Sequence, residues 1–277
     1  MNDFIARTLI DHVAQVTEPA GFRGSGLPIC PRRAALTRLR GPAHVARTFA
    51  ARYNGAVGHA IHRLVQETWA GQGLLWGDWR CTDLECGTTF RETRTEGRCL
   101  RCGAPLLYLE VEVEDPGCGF AGHCNGVVWS DEHNGYLVVE LNTRNESVIQ
   151  RYQEPYWSDQ LQAAAYATLL ARRYWLPIAG RLVVWIGKPR PKVFKTWFYP
   201  GLGEPLYDGQ VQAKLESDRR LEAGDLAGLQ ATCKVEADAR GCPFVGLCFS
   251  PRRDQLLAEE YQRYEQSLRA AGGQTTG

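Results

Sequence analysis

The pattern of apolar and polar positions divides this chain into helical, strand-like and insert-like stretches. Residues 32–50 carry Leu36, Leu39 and Val45 among many arginines and predict a helix. From 55 to 70, the positions Val57, Ile61, Leu64, Val65 and Thr68 recur at helical spacing. The run 106–114 alternates apolar and acidic side chains in its second half, as a half-exposed strand does. Two β-rich runs, 126–129 and 136–141, flank a polar segment, and the pair Asn134-Gly135 within it predicts a hairpin. An amphipathic helix with Leu161, Ala165, Leu169 and Leu170 is expected over 155–175, then strands at 182–186 and 193–198. Helices at 207–222 and about 251–270 follow, and the polar end 271–277 is expected to be disordered. This order describes an α/β chain in one domain, 1–277, with a mixed central sheet flanked by helices.

Composition narrows the class. A chain of 277 residues with net charge +1 has room for a sizeable core and no gross attraction for polyanions, though a local basic groove is compatible with it. No apolar run approaches a membrane span, and no basic-then-apolar leader opens the sequence, so a cytoplasmic protein is expected. Ten cysteines in a reducing compartment point to metal sites rather than disulfides.

Those cysteines form two sets. Cys81, Cys86, Cys99 and Cys102 read C-x4-C-x12-C-x2-C, with Gly87 and Gly103 just after two of them, which is the spacing of zinc-ribbon knuckles. The polar stretch between the knuckles has too little apolar surface to fold unaided, so a structural zinc is expected in an insert spanning 78–105. Cys30 in Ile-Cys-Pro-Arg-Arg is alone at one end, and Cys233, Cys242 and Cys248 stand some two hundred residues later. If they share a metal, the fold must bring the chain's ends together, and four thiolates suit an iron–sulfur cluster or zinc. Cys118 and Cys124 read as small buried residues.

Glu140 lies near the end of a strongly apolar strand, where a carboxylate is costly unless it meets a cation or a donor. Asn125 begins the partner strand and is placed to face it. His62 lies four residues after Gly58 on the earlier helix, and Gln162 and Tyr166 are one turn apart on a later one.

Taken in order, Cys30-Pro-Arg-Arg, Gly58-x-x-x-His62, Gly122-x-x-Asn125-Gly126, Glu140-x-Asn142, Gln162-x-x-x-Tyr166 and Cys242-Pro-Phe-x-x-x-Cys248 resemble the RecB-like branch of the PD-(D/E)XK nucleases. The chain looks most like the CRISPR-associated and phage exonucleases of that branch, over nearly its whole length except the ribbon and the tail. The resemblance implies a restriction-endonuclease-like sheet and a four-iron, four-sulfur cluster on Cys30, Cys233, Cys242 and Cys248 that closes a helical lobe. It also implies metal-dependent cleavage of single-stranded DNA or DNA ends, with partners among DNA-processing or CRISPR-adaptation proteins. In that family a histidine, an aspartate and a glutamate hold Mg²⁺ or Mn²⁺, and a lysine two residues after the glutamate helps activate water. His62 and Glu140 match as metal ligands, while Gln162 and Tyr166 match the helix that steadies the site.

Two central positions depart from the family. Asn125 stands where the aspartate is expected and Asn142 where the lysine is, which removes a charge a hard cation seeks and a proton-handling group. Among nearby acids, Glu112 is the first choice to compensate, ahead of Glu110 and Glu114. The alternative to an active exonuclease is an inactive pseudonuclease that keeps a DNA-binding scaffold. Arg32, Arg33, Arg144, Lys188, Arg190, Lys192 and Lys195, with Trp157 and Trp185 as stacking platforms, are the candidate DNA track.

Overall fold

The architecture is organised around one long strand, Gly135–Arg144, whose two edges are treated differently. A computed structural model describes residues 13–17, 22–23, 27, 30–40, 44–188, 193–229, 231–233, 242 and 244–272. In chain order the strands are β1 (Val13–Thr17), β2 (Phe22–Arg23), β3 (His44–Thr48), β4 (Trp76–Cys81), β5 (Thr89–Arg94) and β6 (Leu106–Leu109). They continue with β7 (Val111–Asp115), β8 (Phe120–Cys124), β9 (Gly126–Ser130), β10 (Gly135–Arg144), β11 (Ile178–Gly187) and β12 (Phe194–Pro200). The helices are α1 (Pro31–Arg40), α2 (Phe49–Gly71), α3 (Glu146–Arg151), α4 (Trp157–Tyr174), α5 (Glu204–Glu222), α6 (Val245–Cys248) and α7 (Arg253–Gly272).

The four-stranded sheet runs β12-β11-β10-β9, parallel between β10 and β11 and antiparallel elsewhere. It is the expected mixed sheet with helices against it. The β9–β10 hairpin closes with Asn134 in the left-handed region, the conformation that favours an Asn-Gly pair at a tight turn. Because β10 and β11 are parallel, the chain needs a crossover, and α4 supplies it. The inward face of α4 is built from Ala163, Ala164, Ala165 and Ala167, all fully buried, so its backbone approaches the sheet closely.

Alternation along β10 assigns its faces. Val138 packs with Leu161 and Ala165 of α4, in a core that includes Val111, Phe120 and Tyr207. Val139 and Leu141 point the other way, where Val65 and Trp69 of α2 cover them. Gly58 sets how near α2 comes, because a Cβ there would meet Thr143 Oγ1 at 2.9 Å.

A second sheet, β2-β8-β7, continues from the first through Asn125, where β8 ends and β9 begins. The third sheet, β5-β4-β6, is the insert; its antiparallel strands span Trp76 to Leu109, wider than the expected 78–105. Trp79 is its fully buried centre, edge-on to Tyr108 at 5.2 Å between ring centroids.

The ends of the described chain do meet. Ser217 donates to the carbonyl of Pro31 at 2.8 Å, and Arg40 binds Glu260, 220 residues away, at 2.8 Å. Leu36, Leu221, Phe244, Cys248 and Leu257 form the small core of this lobe. Among the described residues no helix is long and apolar enough to cross a membrane.

Three expectations need correction. The helix expected over 32–50 is two helices separated by a strand, and Gly41-Pro42 is the local reason, since proline cannot continue a helix and restricts the residue before it. The run 106–114 is two strands in two different sheets, parted at Glu110. Leu64, assigned to the apolar stripe of α2, is 63% exposed; the inward stripe is Gly58, His62, Gln66 and Ala70, each four residues from the last. Most of the expected tail, residues 273–277, lies outside the described residues, and α7 extends to Gly272.

Candidate functional site

The alternation of β10 carries Glu140 and Asn142 onto the face of Val138, the side covered by α4. Glu140 is almost fully buried; its Oε1 accepts from Asn142 Nδ2 at 2.9 Å, and its Oε2 has no partner. Burial pushes its carboxyl well above the usual range, reinforced by the nearby charge of Asp159 and opposed by the Asn142 amide. Tyr166 lies beneath, with its hydroxyl accepting from Gln162 Nε2 at 3.1 Å, and burial raises that phenol. The reason for glycine at 122 is visible here, because a Cβ at Gly122 would meet Tyr166 Cε1 at 2.6 Å.

Asn125 occupies the corner between β8 and β9. The backbone N–H of Leu141 donates to its Oδ1 at 3.0 Å, which fixes the amide so that Nδ2 faces Glu110 and donates to its Oε1 at 3.2 Å. Gln66 Nε2 donates to the same Glu110 oxygen at 2.9 Å and to the Asn125 carbonyl at 2.8 Å. The acid that joins the site is therefore Glu110. Glu112 and Glu114 alternate outward on β7 and are exposed, so Glu112 does not fill the compensating role expected of it.

His62 approaches from the other side. It lies on α2, which covers the Leu141 face of β10, and it lines a cavity of about 770 Å³ together with Gln66 and Glu110. Glu140 is not among the residues lining that cavity. Burial, with a smaller push from His59, lowers the His62 imidazole to about 4, so it is neutral at physiological pH. His62, Gln66 and Glu110 thus line one cavity, and Asn125 links Glu110 to the backbone of β10 next to Glu140.

The donor set at this corner fits a magnesium ion poorly. An N–H donor stands where the resemblance places an aspartate, and one Glu140 oxygen and one Glu110 oxygen are already held by amides.

The ribbon cysteines fit a metal well. Their four Sγ atoms lie within 4.8 Å of one another, with Cys81–Cys102 at 3.5 Å and Cys86–Cys99 at 3.8 Å. Tetrahedral coordination at a Zn–S distance of about 2.3 Å places thiolates roughly 3.8 Å apart, so the set can hold a metal ion such as zinc. Gly87 and Gly103 adopt positive φ of 55° and 76°, turning each knuckle back toward the ligands.

Among the described residues this is the only group of three or more such ligands drawn so close. In the terminal lobe, burial raises the Cys248 thiol, the Arg32 guanidinium pulls it down, and the charges of Cys242 and Cys30 push it up. Cys242 and Cys248 belong to one small core with Leu36 of α1, the helix that Cys30 immediately precedes. A cubane cluster holds its thiolates wider apart than one ion does, since each binds a different iron. Cys118 and Cys124 are buried as expected, Cys118 beside the Tyr207 hydroxyl at 3.7 Å.

The basic candidates are mostly engaged. Arg32 is buried and donates to the Leu229 carbonyl, so its guanidinium is not available to a phosphate. Arg144 forms a two-oxygen pair with Asp159, both at 3.0 Å, and sits over the Tyr156 and Trp185 rings. Trp185 is fully buried and donates to Asp159 at 2.7 Å, which removes it as a stacking platform, whereas Trp157 is half exposed. Lys188 donates to the Asn54 carbonyl at 3.1 Å and Lys195 to the Tyr152 carbonyl at 2.8 Å. Arg33 is half-buried, and Arg190 and Lys192 lie outside the described residues.

Gln66 escaped the sequence reading, although its position one turn after His62 was a usable signal. No family model matches this chain, and no curated protein matches it; a family assignment has no support outside the motif residues themselves.

Proposed function

We propose that this chain is a DNA-binding protein of the RecB-like nuclease type whose phosphodiesterase site is silent with Mg²⁺. The observation that carries this reading is the Asn125 amide, oriented by the Leu141 N–H so that it offers hydrogen-bond donors to Glu110 where a metal-binding carboxylate is expected. Asn142 does the same to Glu140. Two amides thereby donate to carboxylate oxygens that a divalent cation would otherwise meet, one on buried Glu140 and one on half-buried Glu110.

Other features support the family side of the proposal. The order of helix, antiparallel strands, crossover helix and parallel strand agrees with the resemblance, and Gly58, Gly122 and Tyr166 are each in tight contact at motif positions. The ribbon holds a structural zinc in this reading, and Cys30, Cys233, Cys242 and Cys248 hold the cluster that clasps the terminal lobe. The zinc offers no open coordination position and no chemistry beyond folding.

One observation favours a second reading. Glu140 Oε2 is buried and unpartnered, the state of a ligand oxygen awaiting a cation, and a softer ion such as Mn²⁺ tolerates amide and imidazole neighbours better than Mg²⁺ does. End-labelled single-stranded DNA incubated with the protein and either ion separates the two. Salt-sensitive binding with no loss of label in Mg²⁺ or Mn²⁺ supports the silent site; degradation in Mn²⁺ that disappears in Glu140→Ala supports the second. Absence of any DNA binding at low salt overturns both.

A further inference from the structure

We infer that the outer edge of β12 pairs with the same edge of a second copy of this chain, across a two-fold axis at Thr196. The pairing is independent of DNA binding and of the Glu140 corner. β12 is the outermost strand of the four-stranded sheet, and among the described residues no strand lies beyond it. Its ladder to β11 is flanked by two further bonds. The Gly187 N–H donates to the Val193 carbonyl at 2.8 Å, and the Gly201 N–H to the Ala179 carbonyl at 3.0 Å. Those bonds fix the parity. Lys195, Trp197 and Tyr199 turn their backbone groups to β11, so Phe194, Thr196 and Phe198 turn theirs outward.

An unpaired edge of this kind recruits another strand unless something guards it. The usual guards are absent here. Lys195 is the one charged residue of β12, and its ammonium is held by the Tyr152 carbonyl at 2.8 Å. Pro200 has no N–H to offer, but it stands at the last position of the strand. The residues that bond outward also leave apolar surface in water, with Phe194 63% exposed and Phe198 43% exposed. Phe198 is opposite Leu182 and Thr196 opposite Val184, so they lie on the sheet face that α2 covers, beyond its margin.

The strand read against itself selects a second copy. Antiparallel pairing about Thr196 sets Phe194 opposite the partner's Phe198 and Lys195 opposite the partner's Trp197. Every outward-facing residue from Phe194 to Phe198 then joins a hydrogen-bonded pair, each phenylalanine gains an aromatic neighbour, and no like charges meet. Moving the axis to Lys195 sets two ammonium groups against each other. Moving it to Trp197 spends Phe194 on the partner's Pro200, which has no N–H to return.

The test is sedimentation velocity of the full zinc-loaded chain over a range of protein concentrations, with circular dichroism confirming that each variant is folded. Wild type is expected to dimerise reversibly. Thr196→Pro suits an edge strand whose N–H faces outward, and it is expected to raise the dimer dissociation constant about thirtyfold, the effect of two lost backbone bonds. Thr196→Glu and Thr196→Lys are each expected to weaken the dimer roughly fivefold, because like charges then meet on the axis, and an equimolar mixture of the two to restore it. Trp175→Ser removes an aromatic that is 89% exposed away from this edge, and it is expected to leave the dimer as in wild type. A wild type that stays monomeric throughout overturns the inference and leaves the edge to a strand of a different protein. A dimer that Thr196→Pro leaves intact, or a Glu and Lys mixture no tighter than either variant alone, overturns this edge and register as the contact.

Discussion

Replacing Glu140 with glutamine isolates the electrostatics of the buried carboxyl. The variant keeps the oxygen that accepts from Asn142 and removes the titratable group whose Oε2 has no partner. Burial raises the Glu140 carboxyl in the folded chain above its ordinary value of 4.5. Below that value both folded and unfolded chains hold the proton, and the group makes no difference. As pH rises past it, the unfolded chain releases a proton that the folded chain keeps. Stability is then lost by up to about 1.4 kcal/mol per pH unit, the figure for one proton, until pH passes the raised folded value. Urea unfolding of wild type and Glu140→Gln at several pH values between 5 and 9 measures this directly. The variant is expected to gain on wild type as pH rises, with a limiting slope near that figure. Contributions from other groups, including the ribbon metal, cancel in the difference. Added Mg²⁺ is expected to leave the difference unchanged, because the corner fits that ion poorly; a cation bound at Glu140 would stabilise wild type by about 2.7 kcal/mol at one hundred times its dissociation constant. A difference that is flat with pH would refute a raised Glu140, and one that closes with Mg²⁺ would refute the silent site.

Gly122→Ala is expected to destabilise by roughly 1–3 kcal/mol through overpacking against Tyr166, and less in a Tyr166→Leu background, as measured by urea unfolding of the two single variants and the double. Stripping the ribbon metal is expected to abolish amide protection over 76–109 in hydrogen exchange while the β10–β11 pair stays protected; unchanged protection would mean the thiols need no ion. His62→Gln is expected to flatten the loss of stability as pH falls from 6.5 towards 4, because the folded chain resists protonating this imidazole and the unfolded chain does not. Anaerobically purified protein is expected to carry iron and a visible chromophore that Cys248→Ser removes, whereas colourless protein with zinc alone would remove the cluster from the terminal lobe.

What the sequence made legible was local. Asn134-Gly135 announced the hairpin, the cysteine spacing announced the ribbon, and the apolar stripe around Leu161 and Leu169 announced α4, because turn chemistry, ligand spacing and helical period are each written within a few residues. What it hid was relational. Nothing in the alternation of 106–114 marks Glu110 as the residue where one sheet ends and another begins. Nor does the sequence show that Asn125 spends its side chain on the Leu141 N–H and on Glu110. Two members of the basic track are taken for a different reason: Arg144 and Trp185 resemble DNA contacts because charge and aromatics adjoin, yet they satisfy Asp159 in the interior. The continuous apolar run 182–186 was a usable warning, since a parallel strand buried on both faces reads that way.

Restoring the two missing groups tests the central claim most directly. Single-turnover cleavage of end-labelled single-stranded DNA with Mg²⁺ is to be compared between wild type and the Asn125→Asp, Asn142→Lys double variant. The expected result is no cleavage by wild type and cleavage by the double variant that vanishes when Glu140→Ala is added. Wild type cleaving as fast as the double variant, or a double variant that binds DNA and never cleaves it, would contradict a nuclease site silenced by two amides.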